Sequence, residues 1–471
     1  MFPKNRKTWA NKSSVYTVTP ATYQNVTLYV ATTGSDANNG LSASQALRTI
    51  QEAVDRIPKY LDKNVLINVG SGTFSPFSLD GFIQESGYFQ ITGTLGAPTL
   101  ATGTASGTST GGSTTTLVDA TQTWTVNDLV GYLLVVAGEY AVILSNTVDT
   151  ITCVGMFSAS TSGKAYTIRE QKSIISGQTT YTKTSDGTDV TASILVRNSK
   201  FNDCFIENLK VSPTQNEAHG LHMIDSNRVV FKQNYMNGFT DASSLQHGVY
   251  VQNCFDCGFL DVYATNAYYG WSIYGSLQIM LVGLFADSNY LGFSLGQSNL
   301  PECTRLFAQN NTEGIAIYGK NTHIYVYTLD ASYNTGTGVN LYGNLIISDA
   351  SIMSNNAGIV VGSDTGDNEG NLEIASASSI GNNTTDGIVG NDGATLNVRY
   401  AGGTGNGVYG VRCKNKCMLI HSNGNTTITG ASGTYTLDDG VTPAADWTTN
   451  FSSNGDSVGE LTTLTLAVRR D

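Results

Sequence analysis

The chain has 471 residues, of which only 13% are charged, with a net charge of −12 and a pI near 4.8. A surface this acidic and poor in Lys and Arg argues against nucleic acid and anionic membrane as partners, since both are held by cations. No stretch approaches the ~20 apolar residues that span a bilayer. Met1–Lys7 begins basic but has no apolar run behind it, which predicts a chain made in the cytoplasm without a signal peptide.

Gly (51 residues), Tyr (24) and abundant Thr, Ser and Asn predict an all-β chain with tight turns. Residues 1–27 read as an N-terminal arm. From Leu28 a strand leads through the Asp/Asn/Gly turn Gly34–Gly40 into Ser42–Asp55. There Leu47, Ile50, Val54 and Ile57 fall on one face of a helix that Pro58 closes. A second strand occupies Asn64–Phe74. This strand, turn, short helix and strand resemble the opening of pectin-lyase-like β-helices, including many phage tailspikes. The resemblance implies a right-handed parallel β-helix beginning over 28–94, with the helix capping its open end.

Residues 92–116 are Thr/Gly/Ser-rich and predict a flexible loop. Strands at Tyr132–Val136, Tyr140–Leu144 and Thr150–Val154 then outline a compact β module that ends near Ile168. It is similar to small β modules inserted in phage structural proteins, so 95–168 is expected as a knob set into the helix.

The segment 169–424 carries a repeat. A Gly followed by alternating apolar residues recurs at Gly220, Gly248, Gly270, Gly292, Gly314, Gly338, Gly358, Gly387 and Gly407. A period near 22 residues with variable excess marks a solenoid whose insertions enter at turns. Counting one further coil at Ile194–Leu209, about ten coils at ~4.8 Å each predict a rod of roughly 45–50 Å. The first and third positions after each Gly are apolar, which predicts one inward stack of Leu221, Val249, Trp271, Phe293, Ile315 and Val339. His222, Tyr250, Ser272 and Asn340, at the second position, are expected to face out. Asn266, Asn289, Asn310, Asn334, Asn355 and Asn383 precede the glycines and read as turn residues able to stack into hydrogen-bonded ladders. Residues 425–471 are expected to cap the far end.

The seven cysteines include Cys254-x-x-Cys257 and Cys413-x-x-x-Cys417, which have zinc-like spacing but lie about seven coils apart. Buried thiols of a reduced protein are the better reading, and no metal or other cofactor is expected. Asp364, Asp367 and Glu369 read as a solvated loop.

Chemistry on such a scaffold needs either paired carboxylates for hydrolysis or a base beside a charge-neutralising cation for lyase action. The Asn-Thr-Asp, Asp-Asp and Gly-His-Gly motifs of polygalacturonases are not assembled: His219-Gly220 and His247-Gly248 lack the leading Gly, and Asp438-Asp439 lies beyond the coils. The remaining candidates are Glu217, His219, His222, Asp225, Asp241 and His247 in the first two coils, where histidine and carboxylate together suit acid/base work. Polar turn residues are the plainer account of them. A separate feature is the row Tyr274, Tyr318 and Tyr342, at the outward fourth position after the repeat Gly, with Gly296 leaving a gap and Tyr250 beside the row. Such a row is suited to stacking on sugars or to forming a subunit interface.

The resemblance implies a virion tailspike-type protein that binds a bacterial surface polysaccharide, with or without cleaving it. It also implies a homotrimer joined to other tail or baseplate proteins. A non-enzymatic structural or decoration protein of the virion is the first alternative, and a bacterial polysaccharide lyase or hydrolase the second.

Overall fold

The computed structural model describes residues 25–153, 157–182, 189–213, 219–239, 246–362, 370–376, 378–391, 394–398, 401–413, 418–420, 427–431 and 433–437. It is a right-handed parallel β-helix of about 13 turns, built from three ladders that each coil visits in turn. At ~4.8 Å per turn the rod is roughly 58 Å long. It exceeds the expected length because its opening coils, which include Val26–Val30, Val65–Val69 and Phe89–Gly93, carry no repeat Gly.

The first ladder contains the repeat strands. Leu221 pairs with Val249, Val249 with Trp271, Trp271 with Phe293, Phe293 with Ile315 and Ile315 with Val339. All six side chains are buried in one continuous core, as alternation predicts. The last repeat is displaced. Ile388 pairs with Val411, so the stacking glycine is Gly410 and not Gly407. The repeat Gly is required by close approach: a Cβ on Gly270 would stand 2.7 Å from the carbonyl oxygen of Gly292 on the next coil.

The Asn column stands one residue away from its expected place in two coils. Asn266 and Asn310 are corner residues with positive φ, and the buried column is Asn289, Asn311, Asn334, Asn355, Asn383 and Asn406. Each Nδ2 donates to the Oδ1 of the next Asn at 2.9–3.2 Å and to a backbone carbonyl of the preceding strand, such as Ala308 O for Asn334. The next coil's Oδ1 also accepts the backbone N–H. At the opposite corner Ser199, Ser226, Ser276 and Ser298 form a similar column, each hydroxyl donating to the carbonyl two residues back.

The N-terminal helix α1 is Ile50–Asp55, shorter than the expected 42–55; Ala43–Gln45 is a 3-10 turn. Thr49 caps α1 by accepting the Glu52 N–H, and Leu47, Ile50, Val54 and Ile57 join the core. The Thr/Gly/Ser-rich segment is not a free loop. Ser106–Thr108, Gly111–Gly112 and Thr116–Val118 are strands of an eight-stranded antiparallel sheet running from Leu95–Gly96 to Ala165–Gln171. This knob has its own core around Trp124, whose ring meets Tyr166 edge-on and whose Nε1 donates to Thr104 O. Its Leu133 and Val142 rest on Tyr263, Phe285 and Phe307, which project outward from the third ladder. Of the tail expected to cap the rod, Thr427–Gly430 and Gly433–Leu437 add a further turn, and 438–471 lie outside the described residues.

Two outcomes are expected. Asn334→Ala strands donors and acceptors on Asn311, Asn355 and Ala308 in a dry column, and should lower stability by about 2–4 kcal/mol in a thermal melt. Deleting 95–171 should leave a rod that melts cooperatively but aggregates, because Tyr263, Phe285 and Phe307 become exposed. Replacing those three with Thr should restore solubility, which gel filtration would read.

A candidate carbohydrate groove

The outer face of the first ladder carries three columns. The floor is the second position after the repeat Gly: Ser272, Ser294, Ala316 and Asn340, paired rung to rung. One wall is the fourth position, with Tyr274, Gly296, Tyr318 and Tyr342 in register. The other wall comes from the one or two residues before the Gly: Tyr268, Tyr269, Tyr290, Leu291 and Glu313. Two of the floor residues are buried although they point away from the core, Ala316 at 0% and Ser272 at 9% exposed, while Ser294 and Asn340 are half-buried. The wall tyrosines stay open, with Tyr274 at 40%, Tyr318 at 43% and Tyr290 at 45%. The result is a groove along the rod over four rungs, roughly 14 Å of floor.

The expected row is present, and the expected gap in it is filled. Tyr318 and Tyr342 stack with centroids 5.8 Å apart, and Tyr274 lies over Gly296, where a Cβ would come within 3.2 Å of its ring. Burial first, and then the charge of Glu313, push the Tyr318 phenol up to about 12. Tyr268 and Tyr290 on the facing wall stack at 4.6 Å with rings 3° from parallel. Sequence reasoning missed this wall. Its signal was Tyr two residues before the repeat Gly in Tyr268-Tyr269-Gly270 and Tyr290-Leu291-Gly292.

The histidines close one end of the groove. His222 stacks on Tyr250, Tyr250 on His247 and His247 on Tyr269, at 4.8, 4.6 and 4.7 Å. His219 meets His222 and His247 edge-on, and its Nδ1 accepts the backbone N–H of His247. Here the sequence reading needs correction. His222 is on the outward side of its strand as expected, but it is buried beneath its neighbours and does not face solvent. Ser272 is likewise outward and covered, whereas Tyr250 and Asn340 are half-buried. Asp225 is exposed at the next corner with φ 49°, and Glu217 and Asp241 lie outside the described residues. No acid/base pair is assembled from His222 and Asp225: one is covered by the stack, and the other is at a corner.

Cys254 and Cys257 are buried, with thiols on backbone carbonyls of Gln252 and Phe255; Cys417 and the side chain of Cys413 lie outside the described residues. Asp364, Asp367 and Glu369 lie there too.

No protein-family model matches the chain, and neither does any curated protein sequence. Among solved structures, the A-module of mannuronan C-5 epimerase AlgE4 from Azotobacter vinelandii is 10% identical, covering 79% of this chain and 91% of its own, with a TM-score of 0.40. The periplasmic alginate epimerase AlgG is 12% identical over 84% of this chain and 81% of its own, with a TM-score of 0.38. The tailspike gp49 of Pseudomonas phage LKA1 is 12% identical over 82% of this chain and 77% of its own, with a TM-score of 0.24. Nothing about this chain's chemistry follows from likeness of that degree.

The histidine stack has a pH signature. Burial, reinforced by His219 and His222, holds His247 well below its ordinary range, so the folded protein resists a proton that the unfolded chain takes up near pH 6.5. Stability from this site is therefore present above pH 6.5 and lost as pH falls below it. Asp261, pushed up to about 7 by burial, titrates with the opposite sign. The His247 contribution is best read as a difference: His247→Phe should remove up to about 2 kcal/mol of the acid destabilisation between pH 7.5 and 5 in denaturant melts. By architecture the chain is a right-handed parallel β-helix, with a small antiparallel β domain set between its coils.

Proposed function

We propose that the chain is a polysaccharide-binding β-helix of the tailspike type, which presents the groove of its first ladder to a bacterial surface glycan. The carrying observation is the pair of open tyrosine walls over a floor of small residues. Sugar rings have apolar faces and polar rims; phenol rings stack on the former, while phenol hydroxyls and Asn340 hydrogen-bond the latter. In this reading the protein is a virion component, assembled as a parallel homotrimer among tail or baseplate proteins. The reading is one of binding, since His222 and Asp225 do not meet.

The second reading, a subunit interface, rests on the same exposed tyrosines. The double variant Tyr318→Ala/Tyr342→Ala separates the two. The proposal expects glycan or cell binding weakened by about tenfold or more in an intact oligomer. Dissociation to a folded monomer would instead assign the row to the interface. Ser294→Trp, which fills the floor without entering the core, should abolish binding at unchanged melting temperature. Light scattering should give three chains, and a monomer at micromolar concentration removes the trimer. Incubation with host capsule or lipopolysaccharide should yield shortened oligosaccharides if the bound chain is also cut.

A further inference from the structure

Between the rungs of Tyr269 and Tyr342, the described side chains of the proposed groove include one ionisable group that is not a tyrosine. Glu313 stands on the wall beside the Ala316 floor, and Asn340 on the next rung donates to its Oε2 at 3.2 Å. The backbone N–H of Glu313 is fixed by Tyr290 O, so the residue is held at both ends. Tyr269 and Tyr318, on opposite walls, both feel its charge. Oε1 has no hydrogen-bond donor among the described residues, which leaves its acceptor capacity for a ligand hydroxyl.

What accompanies Glu313 decides the kind of glycan. Over the rungs from Tyr269 to Tyr342 the remaining described side chains of floor and walls are Tyr, Ser, Thr, Leu, Ala and Asn, with Gly296 and Gly336. None of these is a cation. The nearest described cation on the same ladder is Arg412, three rungs beyond Asn340, and it is already engaged with Asp386 at 3.5 Å. A uronic acid seated in the groove would place its carboxylate beside Glu313 with no Lys or Arg among the described side chains of these rungs to offset the repulsion or its lost hydration. A neutral hexose or hexosamine meets no such conflict and supplies the hydroxyl donors that Oε1 accepts.

We infer that the groove selects neutral glycans and rejects uronate-containing ones, with Glu313 as the specificity-determining residue. The inference rests on the groove reading above and narrows it to a ligand class.

The test is an array that pairs each uronate-containing oligosaccharide with its carboxyl-reduced, neutral counterpart, probed with the wild-type oligomer, Glu313→Gln and Ser294→Trp. Glutamine keeps the shape and an acceptor oxygen but not the charge. The wild type should favour the reduced member of a pair by about tenfold or more. Glu313→Gln should close that difference by gaining the acidic member, and Ser294→Trp should lose both. Acidic members bound as well as their reduced counterparts by the wild type would overturn the specificity while leaving the groove in place. A preference unchanged in Glu313→Gln would remove Glu313 from the role. No bound pair at all, or pairs that survive Ser294→Trp, would overturn the groove reading and this inference with it.

Discussion

A parallel coil sets every residue directly on its counterpart one turn away, so each column must tolerate itself. This in-register stacking governs nearly everything else in the molecule. Columns that point inward become uninterrupted apolar stacks, such as Trp271 on Phe293 at 5.9 Å. A polar column can be buried only if its members satisfy one another, and Asn and Ser do so at the two corners. The corners in turn demand left-handed backbone, and many of the residues that supply it are Asn, Asp, Gln or Ser. Outward columns obey the same rule, which is why tyrosines form rows instead of scattered spots.

The parts of this design that repeat were legible in the sequence. The Gly followed by two inward apolar residues revealed the first ladder, and the Tyr-Gly pairs revealed one wall of the groove, because each recurs at a fixed offset. The parts that do not repeat were hidden. Glu313 shares its column with Tyr269 and Leu291, so no periodic signal marks it. His222 has the alternation of an exposed residue, yet His219, just before its own repeat Gly, and Tyr250, on the next coil, cover it with their rings. Register errors arose where two similar residues stand close together. Asn310-Asn311 offered two candidates for one column, and Gly407 and Gly410 two for another. Only the stacking partner distinguishes them.

The knob illustrates the limit of composition as a guide. Thr, Gly and Ser in 92–116 suggested a loop, but hydroxyls there make the local contacts that hold short strands: Thr104 with Gln122, Ser113 with Thr116. The knob also changes what counts as surface on the rod. Tyr263 and Phe285 stack as an outward aromatic row much as Tyr318 and Tyr342 do, yet the former pair is covered by the knob and the latter is open. The same ladder logic thus builds an internal docking seam on one face and an accessible trough on another.

The Asn column has a direction, and the two ends of the rod are unequal because of it. Every amide donates toward the C-terminal neighbour and receives from the N-terminal one. Stripping a coil from the N-terminal side leaves the next Asn with an idle acceptor, which water satisfies easily, and one side-chain N–H without its carbonyl. Stripping one from the C-terminal side leaves both a backbone N–H and a side-chain N–H without an acceptor, the costlier loss. Fraying should therefore travel inward from the C-terminal coils. The amide protons around Asn383 and Asn406 would then exchange with solvent well before those around Asn289, although all three columns of contacts look alike in a still picture.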